Sequence, residues 1–149
     1  MLNLFEAKDR KSILDRISRL PASATRQWGK MNPAQALAHC SIAMGCAGGE
    51  GKQEQALLGK IFTPLILWKV MDEKPFAHNA PTDPSFVVSD EVDFEKEKAR
   101  LVAAVGRFCD GGPARAVRSV HPFFGRLTAE QWGRLTFKHL DHHLRQFGG

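Results

Sequence analysis

Apolar residues recur at helical spacing along most of this chain, and the breaks between the repeating stretches fall at proline and glycine. A first stretch, from about Glu6 to Leu20, sets Ile13, Leu14 and Ile17 on one face and stops at Pro21. A second runs from Pro33 to about Ala47 and ends at Gly48-Gly49. Asn32 reads as its N-cap, Pro33 as its first helical residue and Gln35 as the partner that completes a capping box. This stretch is apolar nearly all round, as a buried helix is. A third spans about Gln55 to Met71, where Pro64 either kinks the helix or restarts it with Thr63 as a new cap. The fourth, from about Asp93 to Cys109, repeats Phe94, Leu101, Val102, Val105, Phe108 and Cys109 at helical spacing, and Asp110-Gly111-Gly112-Pro113 ends it. The fifth opens at Thr128 with Gln131 closing a capping box and continues to about Phe147, with Gly148 as its C-terminal cap. Only Phe86-Val87-Val88 hints at a strand. The pattern predicts an all-α fold, a four-helix bundle with an extra or broken helix, as one domain over residues 1–149.

Two connections are long, and loops beyond about 12 to 15 residues in compact domains are often lids or binding loops. The first, Asp72 to Val92, carries Pro75, His78, Pro81 and Pro84 and reads as a proline-stiffened crossover. The second, Asp110 to Leu127, holds His121-Pro122-Phe123-Phe124-Gly125 directly before the last helix. Phe123 and Phe124 fit a pocket wall with His121 as a proton donor or as a support behind the groups that touch substrate, and fit equally an apolar plug at the bundle end.

The last helix carries His139-Leu140-Asp141-His142-His143 and then Leu144-Arg145-Gln146. At about 100° per residue, His139 and His143 lie roughly 40° apart, on the face that also holds Leu135, Thr136 and Gln146. That pair can grip one ion. Asp141 falls on the opposite side and is expected to face water, while His142 sits at the edge of the stripe as a less well aligned alternative to His143. A histidine on an apolar face is more often a hydrogen-bonded core residue than a ligand, so a third donor is needed. His39 is the candidate, because it lies near the middle of the buried second helix, where its nitrogens need a partner or a metal.

The two histidine segments resemble the DinB/YfiT-like superfamily of metal-binding helical bundles, and specifically a branch with no assigned reaction. The residues that carry the resemblance are Trp28 with Met31-Asn32-Pro33 and Ala38-His39, and then the stretch from His121-Pro122-Phe123-Phe124-Gly125-Arg126-Leu127-Thr128 through Gln131-Trp132 and Lys138-His139 to His142-His143-Leu144-Arg145-Gln146-Phe147-Gly148. It covers nearly the whole chain, the middle third matching only in character. Members typically bind a divalent metal through one histidine of the second helix and a His-x-x-x-His pair on the last, which maps onto His39, His139 and His143. Many members read His-Arg-Gly-Gln where this chain has His143-Leu144-Arg145-Gln146, so Gln146 keeps its place while the neighbouring substrate contacts change.

Three neutral imidazoles leave a divalent ion with open positions, where a bound water or thiol loses its proton more easily. Imidazole suits zinc, nickel, iron and copper alike, so the ligands do not select the metal. The chain has no tyrosine, which leaves His121, His142, a carboxylate or water for proton transfer. Some members of the superfamily transfer low-molecular-weight thiols to electrophiles, and one group isomerises maleylpyruvate with a thiol. The resemblance therefore implies a metal-dependent enzyme acting on a small molecule, by thiol transfer or by activating water. Phe123, Phe124, Arg145 and Gln146 would contact the substrate, with His121 and His142 as the catalytic groups. The rival readings are a metal-binding or stress-related interaction protein without turnover, and a bundle whose histidines never meet.

Composition narrows the classes further. The 149 residues are 43% hydrophobic and 25% charged, ordinary globular values for one self-sufficient core. The longest apolar run, Ile61 to Trp68, is far short of the roughly 20 residues that a membrane span needs, and Pro64 interrupts it. Glu6, Lys8, Asp9 and Arg10 stand where a secretion signal would be apolar, and three cysteines are too few for a disulfide framework, so a reducing cytoplasm is the expected location. Cys40 and Cys46 read as small buried hydrophobes. The net charge of +5 is scattered over several helices with no nucleic-acid-binding motif, which argues for a solvated basic surface and against a nucleic-acid partner. A homodimer is compatible with all of this.

Overall fold

The computed structural model describes residues Met1–Gly149. Five helices dominate it: α1 (Ala7–Arg19), α2 (Pro33–Ala47), α3 (Leu57–Val70), α4 (Phe94–Ala116) and α5 (Ala129–Gln146). A 3-10 turn at Pro84–Phe86 and a two-stranded antiparallel ladder, β1 (Val120–His121) with β2 (Gly125–Arg126), complete the elements. Two of the helices begin on the capping boxes legible in the sequence. Asn32 Oδ1 accepts from Gln35 N at 2.8 Å while Gln35 Oε1 accepts from Asn32 N at 3.0 Å. Thr128 and Gln131 make the same exchange at 3.2 and 2.9 Å. Asp93 caps α4 through Lys96 N at 2.7 Å. Each such cap stabilises its helix by about 1 kcal/mol.

The core forms where α2 packs on α4 and α5 and where α1 packs on the same two helices. Ile13, Ile17, Met44, Leu101, Val105, Trp132 and Leu140 are among its most deeply buried side chains. α2 is buried on nearly every side, as its apolar circumference requires, so His39 lies inside the protein with 2% of its surface exposed. No helix is long and apolar enough to cross a membrane.

Four local readings need correction. α4 does not end at Cys109: Gly112 takes φ 68°, ψ −179°, a conformation open to glycine, and helix resumes with Pro113 and runs to Ala116. The second connection is therefore shorter and holds the hairpin of β1 and β2. Pro64 lies inside a continuous α3, and Thr63, instead of capping a new helix, donates its hydroxyl to Phe123 O at 3.0 Å. Phe86-Val87-Val88 makes no strand; Phe86 closes a 3-10 turn begun by Asp83, whose carboxylate accepts from Ser85 N. Asp141 does not face water. Its side chain is only 14% exposed and is clasped by Arg16 of α1 at 2.7 Å and by Arg145 at 2.8 Å, which ties the first helix to the last.

Candidate metal centre

α2 and α5 face each other across the core, and their histidines meet there. One ring nitrogen from each of His39, His139 and His143 falls within a group whose members lie within 4.8 Å of one another. His39 Nε2 and His139 Nε2 are 2.9 Å apart. Imidazole nitrogens bind divalent ions at about 2.0–2.1 Å, so two on one ion stand at most about 4.2 Å apart, and the three rings would have to rearrange to share it. His39 is buried while His139 and His143 are partly exposed, which leaves one side of the cluster toward solvent.

The outer nitrogens decide which nitrogens are free. His39 Nδ1 lies 2.8 Å from Phe86 O, and a carbonyl only accepts, so the proton sits on Nδ1 and Nε2 carries a lone pair. His143 Nδ1 lies 3.0 Å from Gln146 Oε1, and the same argument gives it a bare Nε2. The orientation of the Gln146 amide is fixed in turn, because its nitrogen must donate to Trp28 O at 2.8 Å. This last contact needs the chain at Gly29 to come close. Gly29 has φ +76°, and a Cβ there would stand 2.5 Å from Gln146 Nε2.

Two of the three inward nitrogens are thus held as acceptors, the arrangement that metal-binding histidines share. Burial supports it: desolvation lowers the pKa of His39, and it pushes His143 down to about 3. His139 is held well below the ordinary histidine value, first by desolvation and then by the neighbouring imidazoles His143 and His39. All three rings are neutral at pH 7, and the donor set fits a divalent ion of the zinc, nickel or iron type.

The other residues singled out in the sequence fall into two separate places. His142 turns away from the triad into a cleft of about 380 Å³, where its ring centroid is 5.5 Å from that of Trp28 and Arg145 lines the same wall. The cleft still borders the cluster, since the rings of His142 and His143 are 5.0 Å apart. His121, Phe123 and Phe124 sit together in the hairpin. His121 Nδ1 accepts from Phe123 N at 3.0 Å and from Phe124 N at 3.1 Å, so its proton is on Nε2, and burial lowers its pKa to about 4. Its ring lies 5.8 Å from the buried Trp132 and close enough to His139 to disfavour a charge there. Phe123 and Phe124 pack edge to face on each other at 5.2 Å.

Two site residues carried no sequence signal as a pair. Trp28 and His78 stack at 3.8 Å with ring planes 8° apart, forming the outer wall of the cleft across fifty positions of chain. The proline-stiffened crossover brings His78 there. The family described as "Protein of unknown function (DUF1569)" matches the chain over residues 4–148. The chain belongs to that family. No curated protein and no solved structure matches it. The matched span includes His39, His139 and His143 as well as the cleft residues Trp28, His78 and His142.

Proposed function

We propose that the protein is a metal-dependent enzyme of the DinB/YfiT-like type, a four-helix bundle with α3 as the added helix, in which His39, His139 and His143 hold one divalent ion. The reading rests chiefly on one observation: carbonyl oxygens take the Nδ1 protons of His39 and His143 and leave each ring a lone pair on Nε2, in a cluster of three imidazoles completed by His139. When bound, the ion would supply Lewis acidity and ease the loss of a proton from a thiol or water in its open position. The chain's own residues do the rest. The partly exposed edges of His139 and His143 leave an approach from solvent. Trp28, His78 and His142 give the adjoining cleft flat, stackable walls, and Arg145 adds a positive group for an anionic substrate. His121 Nδ1 is occupied by two backbone N–H groups, so its Nε2–H is left to offer a hydrogen bond, without transferring a proton.

Thiol transfer to an electrophilic small molecule is the favoured reaction, and hydrolysis by an activated water is second. Cobalt-loaded protein tests the choice. Millimolar thiol should bring intense charge-transfer bands that vanish in His139→Ala, and conversion of an electrophile should require both metal and thiol. If no thiol alters the spectrum, and the bands instead shift with pH, an exchangeable water and hydrolysis become the better reading. Bands indifferent to both would favour a metal-binding protein without turnover, whose partners are then other proteins.

A further inference from the structure

α3 is the most apolar helix on the outside of the molecule, and its apolar face looks away from the core. Leu57, Leu58, Ile61, Phe62, Leu65 and Trp68 are between 45% and 74% exposed, while Gly59 is its only buried residue. At about 100° per residue these six side chains fill one continuous stripe roughly 140° wide. The opposite edge is fastened at both ends. Near the N-terminus, Gln55 and Thr63 donate to Phe123 O at 2.8 and 3.0 Å, and Gly59 lies so close to that carbonyl that a Cβ would stand 2.1 Å away. At the C-terminus, Lys138 Nζ donates to Val70 O at 2.7 Å and Asp72 O at 3.0 Å. The stripe therefore cannot roll inward without breaking these ties.

We infer that the α3 stripe is the interface of a two-fold symmetric homodimer, formed by antiparallel packing of α3 on the α3 of a second copy. Area favours this occupant. Taking ~150–250 Å² for a fully exposed large side chain, the six residues present roughly 700 Å², more than the few hundred Å² usual on a monomer. About 800 Å² per partner is what a standard interface uses. Charge favours it over a lipid surface. An interfacial membrane helix carries many Lys and Arg on its polar face, whereas positions 52–74 mix Lys52, Lys60, Lys69 and Lys74 with Glu54, Asp72 and Glu73. Antiparallel pairing also brings Lys69 and Lys74 at the end of one α3 toward Glu54 before the start of the other. Two-fold symmetry repeats that contact on both sides.

Sedimentation velocity on the full-length protein, from about 1 to 100 µM, tests the inference. The expected result is a species of twice 16.6 kDa, with Trp68 emission moving to the blue as the dimer forms. Ile61→Glu and Leu65→Glu, made separately, should each weaken association by at least roughly thirtyfold, as loss of a central contact does. Both should keep the far-UV circular dichroism of the wild type, since the replaced side chains are 57% and 66% exposed. Val102→Glu, at an exposed apolar position on α4, should leave the dimer intact. A wild type that stays monomeric at 100 µM would overturn the proposal, as would dimers that survive both α3 substitutions or are lost in Val102→Glu. Monomeric wild type that floats with phosphatidylglycerol vesicles, and ceases to in Leu65→Glu, would overturn it in favour of a lipid surface.

Discussion

Gln146 is the residue whose removal best separates a metal centre from an ordinary buried histidine cluster. It is 2% exposed, accepts from His143 Nδ1 at 3.0 Å and donates to Trp28 O at 2.8 Å. Gln146→Leu keeps most of the volume and leaves both partners without a hydrogen bond. An unpaired buried polar group costs about 1–3 kcal/mol, so the pair together should cost about 3 kcal/mol once partial rehydration is allowed. An unfolding entropy of about 2.1 cal/mol/K per residue converts this into a fall in Tm of about 10 °C. Metal affinity should fall about 10- to 100-fold, because the ring of His143 loses the acceptor that orients it. Gln146→Glu divides the two effects. A carboxylate still accepts from His143 and makes its ring more basic, but it cannot donate to Trp28 O. Its affinity for metal should equal or exceed that of wild type while its Tm falls. Competition with a chromogenic chelator gives the affinities, and thermal melts of chelator-treated protein give the stabilities. A Gln146→Leu protein with a Kd within threefold of wild type and an unchanged Tm would refute the reasoning.

Acid should unfold the metal-free protein through its buried imidazoles. His121 and His143 have folded pKa values of about 4 and about 3, against about 6.5 when unfolded. Stability should therefore be level above pH 6.5 and fall below it, by about 2 kcal/mol for each of the two groups between pH 6.5 and 5; urea titrations that show no loss over that interval would exclude this. Asp141→Ala should lower stability by about 2 kcal/mol, because Arg16 loses the charge-assisted hydrogen bond that joins α1 to α5 and Arg145 loses the one within α5. Metal content should be unchanged in that variant, and a parallel loss of metal would show that the α1–α5 tie also positions the triad.

Residues that act within one helix were legible in the sequence, and those that act across the fold were not. Asn32-Pro33 with Gln35 and Thr128 with Gln131 announce their helix starts because a cap satisfies its own backbone within four positions. The spacing of His139 and His143 put both on the core-facing stripe, and the apolar circumference of α2 placed His39 inside. The acceptors that hold them had no such signal. Phe86 O reaches His39 from forty-seven positions away as a backbone carbonyl, which carries no residue identity. Asp141 looked solvent-facing by helical angle, yet Arg16 packs over that side of α5. Gly111-Gly112-Pro113 resembled a stop, but a left-handed glycine followed by proline, whose φ suits a first helical turn, lets the helix restart. The apolar run from Ile61 to Trp68 did not show which side of α3 meets the core. In the structure the apolar stripe of α3 points outward.

The metal content of the full-length protein, purified without an affinity tag, tests the central claim most directly. Elemental analysis with zinc or cobalt titration should give one ion per chain, and His39→Ala, His139→Ala and His143→Ala should each fall well below that. His142→Ala should keep its ion, because His142 faces Trp28 in the cleft and not the triad. Full occupancy in any of the three triad variants, or loss in His142→Ala equal to that in His143→Ala, would contradict the assignment.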